Sequence, residues 1–402
     1  MIKQYYKQAL AQLRQHPLIS IIGIVGTALS IFLIMLVVMM QQVKVAPFSP
    51  ESNRNRFLHV HYMSISHKDW GNGTSNGPMS VQTAREVYKS LKTPEAVTVY
   101  CCMTVSTPVS LPGAPAIGAD VRETDDTFFH VFDFQFTDGK PYDEATFTAG
   151  RPVAVITESI SRALFGSIQS VGKEFLLSHA PYRVVGVVKD VSTLADMAYG
   201  QVWIPFTSTN LSNDTWSDNH MGMMSVTLLA HDREDFDEIR AEAKRRMNEY
   251  NSILADQGYT LIDRNRPYDQ ETQSISFAAN LEPDLKAARR ERVIIFIILL
   301  LVPAINLSSM TQSRLRQRVA EIGVRRAFGS TRIEMVGQIV MENLVITLLA
   351  GAIGLLISIL FAYWGTDILF AQPYSVTLNA PTVDSRILLQ PSTFLYALLF
   401  CF

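Results

Sequence analysis

Residues 18–40 read LISIIGIVGTALSIFLIMLVVMM, 23 consecutive positions without a charged side chain. At about 1.5 Å per residue this is roughly 34 Å of helix, enough to cross a hydrocarbon core of about 30 Å. A cleaved leader would carry a shorter apolar core ending in small residues, whereas here Lys44 stands just before Val45 and Ala46. The stretch is therefore read as a retained membrane anchor. Working outward, apolar runs recur at 293–310 (VIIFIILLLVPAINLSSM) and 344–364 (LVITLLAGAIGLLISILFAYW), and another begins near Phe394 and stops at Phe402 without a polar tail. The pattern predicts a helical membrane bundle of four spans, the last truncated, with a large α+β extracytoplasmic domain between the first two.

Orientation follows from the short flanks, because Lys and Arg are retained on the cytoplasmic side. Lys3, Lys7 and Arg14 precede the first span, and Arg314, Arg316, Arg318, Arg325, Arg326 and Arg332 lie between the second and third. Both segments are assigned to the cytoplasm. Ile2, Tyr6, Ala9 and Leu13 share one helical face in the first of them, so residues 1–17 form an amphipathic segment suited to membrane lipid. The expected divisions are spans at 18–40, 291–312, 336–365 and 391–402, an outside domain at 41–290, a cytoplasmic segment at 313–335 and an outside loop at 366–390. A net charge of −2 gives no basic footprint for nucleic acid.

Within the outside region, Arg56–Ile65 alternates as a half-buried strand would, Val81–Leu91 suits a short helix and Val97–Val105 a strand. His59, His61 and His67 could be imagined around a metal, but no carboxylate or cysteine has ligand spacing nearby, so a solvated strand face is expected. Phe128, Phe129, Phe132, Phe134 and Phe136 are expected in the core. Adjacent Cys101 and Cys102 would close only a strained bridge, and they are read as thiols. Asp232–Ala255 has the spacing of a charged amphipathic helix.

The centre of this region reads PVAVITESISRALFG at 152–166 and VGKEFLLSHAPYRVVGVVKD at 171–190. Thr157 is a plausible cap for a helix with Ile160, Ala163 and Leu164 on one face. Gly166, Gly172 and Gly186 suit a helix end, a turn and a close backbone approach. Gly166 to Lys173 has the look of a phosphate loop, but the spacing is one residue too long and Glu174 stands where a Ser or Thr would bind magnesium. The two stretches resemble the MacB-type periplasmic domain, with Phe165, Gly166, Gly172, Lys173 and Gly186 at the patterned positions.

Between the second and third spans, Glu321, Ile322, Gly323, Val324, Arg325, Arg326, Ala327, Phe328, Gly329, Ser330 and Arg332 resemble the signature of FtsX-like permeases. On a helix, Leu315, Val319 and Ile322 would form one stripe and Glu321 and Arg325 an i,i+4 pair. Departures are few: Ser330 stands where Ala is frequent, and Asn343 follows Glu342 where Ser is usual. The resemblance covers nearly the whole chain and implies a non-catalytic permease subunit of a bacterial inner-membrane complex. It implies a dimeric ABC ATPase subunit, holding ATP and magnesium, that contacts Glu321 to Arg332. It further implies a second permease chain, identical or paralogous, and leaves room for a periplasmic adaptor. No cofactor is expected in this chain. Such complexes export antimicrobial compounds or peptides, release lipoproteins or regulate cell-wall hydrolases by mechanotransmission. A transmembrane sensor with an outside ligand-binding domain shares the early layout, and a membrane-anchored enzyme would need a catalytic set that these residues do not form.

Overall fold

The computed structural model describes residues 17–317 and 319–364. These form two compact units, one holding the residues up to Val43 and those from Lys286 onward, the other running from Lys44 to Leu285.

The first unit is built from long helices: α1 (Pro17–Val45), the membrane-length α4 (Leu285–Gln317), the short α5 (Val319–Ala327) and α6 (Arg332–Trp364). The labels α2 and α3 belong to Glu158–Phe165 and Phe236–Leu254 in the other unit. Three of the described helices, α1, α4 and α6, are long and apolar enough to cross a membrane. The expected fourth span, the loop 366–390 and residues 1–16 lie outside the described residues. Helix α1 runs five residues past its apolar stretch, and α4 begins eight residues before Val293.

Small side chains let these helices approach. A Cβ on Gly23 or Gly26 would collide with Met310 or Asn306 of α4, and one on Gly354 would lie 2.7 Å from the Ala28 carbonyl of α1. Asn306 Nδ2 donates to Thr27 Oγ1 at 3.3 Å, and the rings of Phe32 and Phe361 meet edge to face at 5.5 Å. Gly23, Gly26 and Gly354 are thus used for close packing within one chain. In hydrocarbon, close van der Waals approach and side-chain hydrogen bonds replace the hydrophobic effect as the force between helices. Ile21, Ile22, Val25, Ile294, Ile298 and Leu356 stay exposed, as lipid-facing positions should.

In the second unit the described strands form an eleven-stranded mixed sheet and a three-stranded one. Six strands of the larger sheet close into a ring in the order Val202–Pro205, Val153–Thr157, Ala180–Val188, Glu174–Leu177, Val105–Ser110 and Ile117–Thr124, the last pairing back to the first. Val109, Val121, Ile156, Phe175, Val184 and Ile204 pack into one core there. Closure removes the exposed edges that an open sheet would present.

From Ile117–Thr124 the sheet continues through Ala96–Cys101 and Met224–Leu229 to Phe57–Val60 and Tyr268–Asp269. One face of this extension packs on α3 through Ile239, Ala243, Met247, Tyr250 and Leu254, whose spacing keeps them on one stripe. The other face meets Phe128, Phe129, Phe132 and Phe134, the expected aromatic core, with Phe136 packed against it. Each buried ring contributes roughly 2–3 kcal/mol.

Both faces being covered changes the meaning of the alternation at 56–65. Phe57 belongs to one core and Leu58 and Val60 to the other, while Met63–His67 leaves for the three-stranded sheet with Thr74–Gly77 and Tyr259–Ile262. One expected strand is therefore two. The helix expected over Val81–Leu91 runs from Val81 to Lys89, with Ser80 Oγ capping Thr83 N at 3.1 Å and wider π turns over Ala84–Lys89.

Candidate coupling and transmission sites

In the motif at 152–190, Thr157 Oγ1 caps α2 by accepting from Ile160 N at 3.4 Å, and the helix stops at Gly166, whose φ of 69° is left-handed. The packed side of α2 is Ile160 and Ser161 with Leu164 half-buried, and Ala163, expected among them, is exposed. Ser161 Oγ reaches Ser170 Oγ and the Ser167 carbonyl, each at 2.7 Å, tying the helix to the following turn. Gly172, with φ 86°, turns the chain, and Lys173 Nζ sits 5.2 Å from the centre of the Phe165 ring. At Gly186 a Cβ would stand 2.7 Å from Phe136 Cε1 and 2.8 Å from the Lys140 carbonyl, so the strands cross there only because the side chain is missing.

The loop is not a phosphate cradle. Asp138 Oδ2 already accepts from the amides of Ser170 and Val171 at 3.1 and 3.2 Å, and Gly172 N donates to the Val184 carbonyl at 2.8 Å. A protein carboxylate occupies the position an anion would need.

The motif between the second and third membrane-length helices is carried by α5 and the turn after it. Gly329, with φ 93°, ends the helix as its sequence suggested, its amide donating to the Arg326 carbonyl at 3.1 Å. Helix α6 then starts with a reciprocal cap: Thr331 N donates to Glu334 Oε2 at 3.0 Å and Glu334 N to Thr331 Oγ1 at 3.3 Å. This capping box fixes the turn by satisfying two amides that would otherwise lack helical partners. Phe328 is 88% exposed and Ile333 84%, and Gly323, Val324, Arg326 and Arg332 are exposed beside them in sequence. The expected stripe is incomplete, since Leu315 and Ile322 are half-buried but Val319 is exposed. The side chains of Glu321 and Arg325, and with them their expected pair, lie outside what the structure describes.

The sequence did not single out the residues that anchor the chain where it leaves α1. Glu51 and Arg54, both buried, form an ion pair at 2.7 Å. Glu51 Oε1 also accepts from Met197 N and Ala198 N, while Arg54 donates to the carbonyls of Ala46 and Leu194 and stacks on Phe48 at 4.1 Å. Next to this clasp, Phe57–Val60 pairs with Tyr268–Asp269, so the first strand after α1 and the last before α4 are neighbours. Gln270 bridges His59 Nε2 at 2.9 Å and the Lys44 carbonyl at 2.8 Å.

His59 corrects the expected solvated face. It is fully buried between Thr227 and Gln270, and burial, reinforced by His61, drives its pKa down to about 3. His61 lies beyond the strand end with its ring centre 6.5 Å away. Among the described residues no group of three His, Cys, Asp or Glu could hold a metal. Cys101 is buried and Cys102 half-buried, both as free thiols. Asp125 sinks into the sheet against Lys89 Nζ at 2.7 Å, with its pKa raised by burial and partly restored by that ammonium. Burial also lifts Glu123 to about 7, against a hydrogen bond from Thr209.

Comparison with known proteins matches a MacB-like periplasmic core domain over residues 18–246 and an FtsX-like permease C-terminal region over 293–402. The ABC transporter permease YknZ of Bacillus subtilis (strain 168) is 22% identical over 244 residues, covering 59% of this chain and 55% of that protein. The macrolide export ATP-binding/permease protein MacB of Burkholderia pseudomallei is 24% identical over 274 residues, covering 68% of this chain. The chain thus spans 55% and 39% of the lengths of these two curated relatives. Among solved structures, the periplasmic region of MacB from Actinobacillus actinomycetemcomitans aligns with a TM-score of 0.35 and 19% identity over 51% of this chain and 89% of that one. The extracellular domain of YknZ from Gram-positive bacteria gives 0.36 and 14% over 50% and 99%. With more than half of its length matched by the first domain model and its last 110 residues by the second, the chain belongs to the ABC transporter permeases that join a MacB-like periplasmic core domain to an FtsX-like permease region.

Proposed function

We propose that the protein is the membrane subunit of an ATP-driven inner-membrane complex and passes motion from a separate, dimeric ABC ATPase to its outside domain. The surface around α5 carries this reading: Phe328 and Ile333 stand almost fully exposed beside Arg326 and Arg332, on a turn set by Gly329 and the Thr331–Glu334 cap. Exposed aromatic and aliphatic anchors rimmed by arginine are the composition of protein interfaces. In this reading ATP and magnesium are held by the ATPase, and Glu321 to Arg332 take up its movement. A second permease chain completes the complex, and an adaptor or lipid can join it outside or at the membrane.

The route outward is a lever. Motion of α1 and α4 reaches adjacent strands, Phe57–Val60 and Tyr268–Asp269, and the Glu51–Arg54 clasp stops the first strand from slipping. Export of antimicrobial compounds, peptides or lipoproteins fits this device, in keeping with the macrolide export named for the MacB relatives.

The test is co-purification with, and stimulation of, an ABC ATPase captured with this protein from native membranes. Arg326→Glu combined with Arg332→Glu should abolish both while leaving membrane insertion and thermal stability unchanged. Full stimulation by this variant would remove the coupling assignment.

A further inference from the structure

The outside unit carries a shallow, wide-open cleft of about 560 Å³ lined by Trp70, Trp216, Tyr259, Asp218 and a small-residue rim that includes Gly73 and Ser75. Its aromatic groups come from three distant parts of the chain. Trp70 opens a tight turn closed by Gly73 N donating to its carbonyl at 2.9 Å. Tyr259 starts a strand of the three-stranded sheet and meets the Trp70 ring at 5.8 Å, edge to face. Trp216 opens a hairpin, exchanging backbone hydrogen bonds with Met221 at 3.0 and 3.2 Å, and its Nε1 donates to Ser75 Oγ at 3.0 Å. Gly77 admits it, since a Cβ there would lie 3.1 Å from Trp216 Cζ2.

Two features separate this cleft from ordinary surface. Trp70 and Trp216 remain 40% and 38% exposed, an arrangement that forgoes the burial such large rings would gain. Between Trp216 and Met221, Ser217, Asp218 and Asn219 all take left-handed φ values of 51°, 50° and 68°. That conformation costs roughly 1 kcal/mol for each non-glycine residue. The hairpin spends this strain to set Asp218 at the cleft wall, facing Tyr259, whose pKa is raised by burial and then by that carboxylate.

Among the lining residues Asp218 alone is charged, and the rest are aromatic rings, hydroxyls and glycine. A negative wall and electron-rich rings complement a cation with apolar substituents, for which ring quadrupole and carboxylate act together. An anion would meet repulsion from both. We propose that this cleft binds a protonated or quaternary organic amine.

The probe is choline, compared with its uncharged isostere 3,3-dimethylbutan-1-ol, titrated against the full chain in non-ionic detergent and read by tryptophan fluorescence. Trp364→Phe serves as background, because Trp203 is fully buried and the other two tryptophans line the cleft. Choline should give a saturable change at least about tenfold tighter than its isostere, and Asp218→Asn should weaken it about tenfold with no loss of thermal midpoint. Trp70→Phe should weaken it less. An equal response to the uncharged isostere, an unchanged titration in Asp218→Asn, or saturable binding of cellobiose in place of choline would overturn the proposal. No ATPase enters the assay, so it stands or falls separately from the coupling role.

Discussion

Replacing Phe328 by Ser tests the proposed coupling surface most directly, because the ring is 88% exposed within the chain and nearly all of its area is free for a partner to cover. A phenylalanine buries about 150–250 Å² when enclosed, and at roughly 25 cal/mol per Å² full coverage corresponds to about 4–6 kcal/mol of gross transfer free energy. Interfaces realise part of that, and truncated anchors lose about 2–3 kcal/mol, or roughly 30- to 150-fold in affinity. The same exposure predicts a change in folding stability within about 0.5 kcal/mol. Permease in nanodiscs would be titrated with the ATPase subunit, with thermal unfolding run in parallel. Unchanged affinity would refute the docking role. A thermal midpoint several degrees lower would show instead that the ring packs on its own chain or on lipid.

Gly186→Ala should lower the stability of the Lys44–Leu285 unit by about 1–3 kcal/mol, since its Cβ meets the Lys140 carbonyl at 2.8 Å, while Gly166→Ala, left-handed but in open space, should cost about 1 kcal/mol. Equal losses in thermal melts would mean that close approach is not what Gly186 provides. Arg54→Met strands buried Glu51 and should cost about 3–5 kcal/mol, much of it recovered by adding Glu51→Gln, a rescue that denaturant titration would register. His59, held near 3 in the fold against 6.5 unfolded, withdraws stability as the pH falls through that window, so His59→Gln should flatten the acid limb of a midpoint-against-pH curve. Glu123 acts in the opposite sense: its pKa rises from 4.5 to about 7, so its contribution is present at low pH and lost on the way to neutrality, and Glu123→Gln should remove that loss.

Local chemistry was readable from the sequence. An uncharged run such as 18–40 can satisfy its backbone in hydrocarbon only as a helix, so membrane spans follow from composition and length. The turn at Gly329 and the α2 terminus at Gly166 could likewise be read, because caps and left-handed stops depend on residues within one turn. The five phenylalanines after Thr127 announced a core for the same reason of composition. Alternation at Arg56–Ile65 was visible but ambiguous, since a strand between two cores and a strand between core and water share a period of two. Only the tertiary structure decided that His59 is buried, that Val202–Pro205 closes a ring with Ile117–Thr124, and that Glu51 finds the amides of Met197 and Ala198. The same holds for the cleft, where Trp70, Trp216 and Tyr259 meet across 189 residues of chain. Such contacts depend on packing between distant segments, and no local pattern of residues records which segments will meet.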